Sequence, residues 1–319
     1  MSQAAEAKAS HYPRSRSLNA AARVINWIAI GLSISAAAIA VACLFGIFGY
    51  IIWRGAENLS WAFFTHLPGP AGAVIGMRNC LIGSAILIGL ASLFGVPLGM
   101  LCGIYMSEYA KTGWFSSLLR LMVDVMAGVP SIVVGLLFYV LIVEPVTDFK
   151  GWFGQALALA KHVIPFVGMG AHSGWSGAIA LAFIMIPIVA RTTEEMLRLV
   201  PQQMREASIG LGASKSQTLL RVILPAAKTG IATGIMLAVA RVAGETAPLM
   251  FTALGNDQAV YNPDKPFPAL TLEIYKYATS AEESWREQAW AAMLVLIVII
   301  FAFNVTVRVV TKNKNTARR

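Results

Sequence analysis

Arg241 and Glu245 stand four residues apart inside an otherwise apolar stretch, residues 222–254. That spacing puts both on one face of a helix. Holding an ion near the centre of a bilayer costs roughly 2.5–3.5 kcal/mol even on insertion scales, so the pair needs a reason. One reason is a salt bridge that braces a helix bundle. The other is an aqueous pathway in which Arg241 offers a fixed positive charge to an anion. A guanidinium suits phosphate-like oxyanions because its planar donors bind them two at a time. Glu245 would then hold Arg241 in place and keep the grip weak enough for release, as transport requires. Asp124, shortly before Gly128-Val129-Pro130-Ser131, is a third candidate for the same pathway.

A second segment is polar and patterned. It reads Arg205-Glu206-Ala207-Ser208-Ile209-Gly210-Leu211-Gly212 and continues to Val222-Ile223-Leu224-Pro225. Pro201 fits the first position of a helix, and Gly212 fits a left-handed stop. Ser214-Lys215-Ser216-Gln217 has the Ser-x-x-Gln form of a capping box, which opens a second helix. The expectation is a short helix, a sharp turn and a helix running on into the next apolar stretch. Glu206, flanked by small Ala207 and Ser208, is an acid that a partner surface can approach closely. A solvated loop with ordinary caps is the plainer alternative. The chain has no Gly-Lys-Ser or Gly-Lys-Thr, so it lacks a phosphate-cradling P-loop. No His/Cys metal spacing and no nucleophile–base set supports an enzyme acting alone. No metal or cofactor is therefore expected on this chain, and ATP chemistry would belong to another polypeptide.

The elements that must position these residues follow from composition. The 319 residues are 57% hydrophobic and 13% charged, with a mean hydropathy of +0.67. A soluble domain carries about a quarter charged residues. Six apolar blocks approach or exceed the roughly 20 residues of a membrane span: 27–53, 79–106, 118–143, 174–190, 222–254 and 289–310. No alternation of the β-barrel kind appears. The fold class is an all-α, polytopic membrane protein. The net charge of +9 could suggest nucleic acid, but 17 of the 25 lysines and arginines fall in the two tails and two loops on one side. The positive-inside rule puts those loops and both termini in the cytoplasm.

Residues 1–26 read as a basic cytoplasmic tail without fixed structure, 27–53 as the first span, 75–311 as a five-helix core containing the loop 196–224, and 312–319 as a second basic tail. The first apolar run continues well past Cys43, too long for a cleaved signal core. Cys43, Cys80 and Cys102 show no CxxC spacing and read as reduced thiols. Residues 152–167 form a hydrophobic, re-entrant candidate. Gly95, Gly99 and Gly103 give the second span a smooth face, as do Gly230 and Gly234 in the fifth, and such faces let helices approach closely in lipid. Pro97, Pro130, Pro187, Pro225 and Pro248 are candidate kinks.

The spacing of the polar segment (Glu-Ala-small, three residues, Gly, nine residues, aliphatic-x-Leu-Pro) resembles the coupling loop of ABC-importer permeases. Glu206, Ala207, Gly212, Leu224 and Pro225 take the family's positions, with Ser208 replacing a usual alanine and Val222 a usual isoleucine. A narrower likeness rests on Arg241-Val242-Ala243-Gly244-Glu245-Thr246-Ala247-Pro248-Leu249, with Phe251-Thr252-Ala253-Leu254, Gly128-Val129-Pro130-Ser131-Ile132-Val133 and Pro187-Ile188-Val189-Ala190-Arg191-Thr192-Thr193-Glu194-Glu195. Over roughly residues 75–310 the chain is similar to phosphate-importer permeases. The resemblance implies a six-helix type I importer permease in the bacterial inner membrane. It also implies a docking helix around Glu206 that engages the ATPase. The implied partners are a sister permease, two ATPase subunits, and a periplasmic or lipid-anchored phosphate-binding protein. A permease for another oxyanion, such as sulfate or molybdate, is the nearest alternative. A gradient-driven secondary transporter or a purely sensory subunit lies further off.

Overall fold

The computed structural model describes residues 16–70, 72–73, 75–109, 113–145, 151–163 and 168–316. Thirteen helices follow one another: α1 Arg16–Glu57, α2 Trp61–Thr65, α3 Arg78–Ile104, α4 Trp114–Gly128, α5 Ser131–Phe138, α6 Gly151–Val163, α7 Gly174–Arg198, α8 Gln202–Gly210, α9 Lys215–Thr218, α10 Leu224–Ala243, α11 Ala247–Thr252, α12 Leu270–Ala278 and α13 Glu283–Thr316. Wide π-helical turns continue α3 (Tyr105–Tyr109) and α5 (Tyr139–Val143), and Leu219–Ile223 joins α9 to α10. Among the described residues, five helical runs are long and apolar enough to cross a membrane, or six if the bent pair α4/α5 counts as one span. This is the all-α architecture expected. The chain divides into two compact units, Met1–Trp53 and Arg54–Arg319.

Within the first unit, α1 begins at Arg16, eleven residues before the predicted span. The supposed tail therefore has helix from residue 16 onward; residues 1–15 lie outside the described ones. Leu18 and Ala20–Ala22 are good helix formers, so the helix extends beyond the apolar block that hydropathy detects. It runs unbroken through Ala42-Cys43, and its side chains from Ala22 to Tyr50 are exposed on every face.

The second unit is organised around α7. The glycine faces expected from spacing are real, and both close on this helix. A Cβ on Gly95, Gly99 or Gly103 would strike Met185, Val189 and Ala190 respectively, so α3 and α7 run parallel. Gly230 and Gly234 of α10 abut Met196 and Thr192, so α10 returns antiparallel. In lipid there is little hydrophobic gain in joining helices, and close van der Waals packing must hold them. The core sits here, with Leu87, Ala91, Leu181, Met185, Val189, Ala238, Val242 and Leu249 in one cluster. At Gly103 an added methyl would lie 2.5 Å from the Ala190 carbonyl oxygen and 2.7 Å from Thr193 Cβ. Gly103→Ala should therefore part α3 from α7 at a cost of about 1–3 kcal/mol. The check is the thermal midpoint of the purified protein in detergent, which should fall by several degrees; an unchanged midpoint would show that the contact is not tight.

Two predicted spans are corrected. The third is not one helix: α4 and α5 meet at 103°. Val129 precedes a proline and is pushed to an extended conformation (φ −69°, ψ 129°), which ends α4. The fifth span starts earlier, at Lys215, and stops at Ala243 rather than Leu254. Gly244 caps it, and Pro248 opens the separate α11 in its first turn. Pro97 and Pro187, by contrast, lie inside continuous helices. The α7 helix also outruns its predicted end at residue 190 by eight residues, reaching Arg198. Residues 152–163 of the re-entrant candidate lie in α6, and 164–167 fall outside the described residues.

Candidate functional site: a broken helix and a polar elbow

Arg241 occupies the last turn of α10, where the helix's negative end favours a cation. Its Nε lies 3.8 Å from Glu245 Oε1, with the Arg241 side chain 52% exposed and that of Glu245 14% exposed. The spacing of four predicts one shared helix face, but the helix stops between the two residues. Glu245 lies beyond the Gly244 cap, and its amide donates to the Val242 carbonyl at 3.1 Å. The break is held from several sides. Thr271 Oγ1 donates to the Glu245 carbonyl at 2.9 Å. Pro248 packs on Gly135 of α5, where a methyl would collide with the proline Cα. Ser176 Oγ, in the capping box that starts α7, donates to the Thr252 carbonyl at 2.8 Å. An irregular backbone at this position exposes one guanidinium while its carboxylate stays mostly covered.

Asp124 is not part of that arrangement. It faces Arg191 on α7, Arg191 Nη1 to Asp124 Oδ1 being 3.5 Å, while Arg191 Nε donates to Glu195 Oε1 at 3.0 Å. Thr192, the next residue of α7, abuts Gly234. Arg241 is seven residues further along α10, so the two charged groups are separated by about 10 Å of helix axis. Arg191 lies just past the apolar block 174–190 yet belongs to the same helix. The Arg191/Glu195 spacing of four was the signal that it belongs to a helix.

The polar segment forms an elbow at the end of the bundle where α3 and α7 finish. Pro201 caps α8 rather than starting it, with φ −56° and ψ 139°. Gly212 turns the chain at φ +84°, a conformation that suits glycine. Ser214 Oγ accepts from the Gln217 amide at 3.3 Å, and Gln217 Oε1 accepts from the Ser214 amide at 2.9 Å, completing the capping box that opens α9. The six residues singled out in this loop part company. Glu206, Ala207, Gly212 and Pro225 are exposed. Ser208 turns inward, its hydroxyl 2.9 Å from that of Thr218, and braces the two arms. Leu224 is half-buried and packs against a cluster that includes Leu197, Val200, Leu219 and Ile223. Beside Glu206, Met204, Ile209 and Leu211 are exposed, Leu211 by 90%. An apolar surface around one acid is what a protein partner would cover.

Sequence reasoning missed what anchors this elbow. Arg205 forks onto both carboxylate oxygens of Glu108, from the π-turn after α3, and donates to the Leu197 carbonyl at 2.6 Å. Glu194, its side chain 3% exposed, accepts from Arg120 Nε at 2.9 Å and from Arg198. Arg120 also donates to the Met106 carbonyl at 2.8 Å. These partners lie 97 and 74 residues apart for Arg205–Glu108 and Arg120–Glu194, so no local pattern marks them.

At the opposite end, α12 and the loop before it hold a third charged group. Lys276 Nζ lies 2.7 Å from Asp257 Oδ2 and 3.1 Å from Glu273 Oε1. Burial, and then the negative Asp257, push the Glu273 carboxyl above its ordinary range, although Lys276 opposes them. Burial pulls Lys276 down, but its bonds to Asp257 and Glu273 outweigh that and raise it. An acid whose folded pKa is raised binds a proton more readily folded than unfolded, so stability falls as pH rises from the ordinary glutamate range through the raised value. Glu273→Gln should flatten that part of the stability profile of the purified protein. A variant with an unaltered slope would show that Glu273 is not its source.

Residues 95–315 match the family model described as binding-protein-dependent transport system inner membrane component. The phosphate transport system permease protein PstA of Yersinia pestis is 38% identical, the match covering 85% of this chain and 86% of that one. PstA of Haemophilus influenzae is 37% identical, covering 91% and 94%. Among solved structures, a bacterial ABC transporter involved in import of the acidic polysaccharide alginate aligns at a TM-score of 0.59, covering 91% of this chain and 99% of that one at 15% identity. The inward-facing MetNI methionine ABC transporter aligns at 0.52, covering 74% and 92%, also at 15% identity. At those identities the likeness is one of fold.

Proposed function

The chain belongs to the binding-protein-dependent transport system inner membrane component family, and from that premise we propose that it carries inorganic phosphate across the bacterial inner membrane. It is the permease subunit of an ATP-driven phosphate importer and is not itself an ATPase. It forms the translocation pathway with a PstC-like sister permease, and ATP is hydrolysed by two PstB-like subunits that dock on the elbow around Glu206. A periplasmic or lipid-anchored phosphate-binding protein delivers cargo to the loops beside α12, and both termini face the cytoplasm.

The observation that carries this reading is a half-exposed arginine at a helix break in a chain so similar to phosphate permeases. A guanidinium at such a break offers an oxyanion a fixed charge and forked donors in a place that lipid cannot fill. The 3.8 Å gap to Glu245 makes this a loose pair, which favours transient binding over trapping.

The test is to purify the tagged chain from its host, identify the co-purifying subunits by mass, and reconstitute them in vesicles with ATP. Labelled phosphate should accumulate and unlabelled phosphate should compete. Competition by sulfate or molybdate in preference to phosphate would replace the cargo. Accumulation driven by an ion gradient without ATP would reject the importer class.

A further inference from the structure

We propose that Thr271 is a positioning residue for Arg241. Its hydroxyl, acting through the Glu245 backbone, keeps the Glu245 carboxylate at a distance from the guanidinium and so leaves that guanidinium open to an anion.

The 3.8 Å separation of Arg241 Nε and Glu245 Oε1 calls for a restraint. Opposite charges attract more strongly where water is partly excluded, and a guanidinium and a carboxylate free to approach settle at about 2.7–2.9 Å. Other pairs in this chain do close. Arg120 reaches Glu194 at 2.9 Å, and Arg191 reaches Glu195 at 3.0 Å. Arg191 and Glu195 have the same spacing of four as Arg241 and Glu245, but they lie in the unbroken helix α7. Arg241 and Glu245 are separated by a helix end, and the Glu245 side chain is mostly covered, so its reach is set by where the backbone starts it.

That backbone is held on both sides. Each residue has two soft backbone dihedrals, and at Glu245 the peptide groups flanking both are bonded. The amide donates to the Val242 carbonyl at 3.1 Å, at the end of α10. The carbonyl accepts from Thr271 Oγ1 at 2.9 Å. This second hold comes from a firm mount. Thr271 is buried in the first turn of α12. Beside it, the Leu270 amide donates to Ser84 Oγ of α3 at 2.7 Å, and the Leu270 side chain is buried in a cluster with Phe63, Met77 and Ala292. Pro268 sits so close to Gly83 of α3 that a methyl there would collide with its carbonyl oxygen. Thr271 thus ties the irregular turn to a platform built on α3 and α12, 26 residues from Glu245 in sequence. Without that tie the Glu245 carbonyl can turn, and the carboxylate can close on Arg241 and fill the forked donors an oxyanion would use. The consequence for phosphate rests on the function proposed above; the held separation does not.

The experiment compares Thr271→Val, which removes the donor and keeps the branched shape, with Thr271→Ser, which keeps the donor and removes a methyl. Thr271→Ala serves as the donorless variant if the valine variant fails to assemble. ATP-driven phosphate uptake per assembled complex should fall roughly three- to tenfold without the hydroxyl, the worth of one neutral hydrogen bond, with KM for the loaded binding protein unchanged. Thr271→Ser should keep most of the turnover. Electron cryomicroscopy of the donorless complex in nanodiscs should show Arg241 and Glu245 closed to ordinary ion-pair distance. Loss of packing alone would lower complex yield and thermal midpoint but spare turnover per complex and leave the separation unchanged. Wild-type turnover in the donorless variant, an equal loss in Thr271→Ser, or a pair that stays apart would overturn the proposal. The structural readout does not depend on cargo. A closed pair in the variant of a complex whose wild type moves no phosphate upholds the positioning and rejects only the phosphate-importer reading.

Discussion

Arg241→Gln is expected to abolish ATP-driven phosphate uptake while leaving the complex assembled. The side chain is 52% exposed and its ion pair to Glu245 is loose at 3.8 Å, so glutamine can replace it without opening a cavity. What is lost is the charge itself. Hydrogen bonds to charged groups contribute about 1.5–3 kcal/mol, and each 1.4 kcal/mol is tenfold in an equilibrium, so occupancy of the pathway should fall by roughly one to two orders of magnitude. Arg241→Lys sharpens the reading. It keeps the charge but not the planar fork, and should retain a fraction of the uptake that Gln loses. Uptake in reconstituted vesicles and subunit stoichiometry are the two measurements. Wild-type uptake by the Gln variant would reject the pathway role of this residue.

The second large effect is expected at the elbow. Glu206→Lys should release the ATPase subunits or leave them bound without transport. Glu206 is exposed beside Met204, Ile209 and Leu211, and reversing a charge against a complementary surface costs several kcal/mol. That corresponds to at least a hundredfold loss of affinity. The fold should tolerate the change because the elbow is anchored elsewhere, through Arg205 on Glu108 and Ser208 on Thr218. Co-purification with the ATPase and uptake are read together. A variant that still co-purifies and still transports would show that this face does not dock the ATPase.

The neighbours Arg205 and Glu206 illustrate what could be read along the chain. Both are helix-compatible charged residues in one polar segment, and nothing local tells them apart. One is held by a carboxylate 97 residues away and the other faces outward. The caps around them were legible. A Ser-x-x-Gln box and a glycine stop act through hydrogen bonds spanning three or four residues, and so depend on little else. The proline effects were legible only in part. Pro130 and Pro248 stand where helices restart, whereas Pro97 and Pro187 sit inside helices that continue. Whether a proline ends a membrane helix depends on whether its neighbours satisfy the backbone it frees.

By itself, then, the sequence determined the apolar character of the spans, their charge asymmetry, the elbow's punctuation and the small-residue faces. Each of these is a property of composition or of spacings within one or two turns. The tertiary structure alone decided that both glycine faces meet on α7, that Asp124 pairs with Arg191 rather than joining Arg241, and that Glu194 gathers two arginines. Those outcomes depend on how helices distant in sequence cross one another. In a bilayer that crossing is set by how closely their surfaces pack, because lipid already satisfies the apolar side chains and leaves the hydrophobic effect little to choose between arrangements.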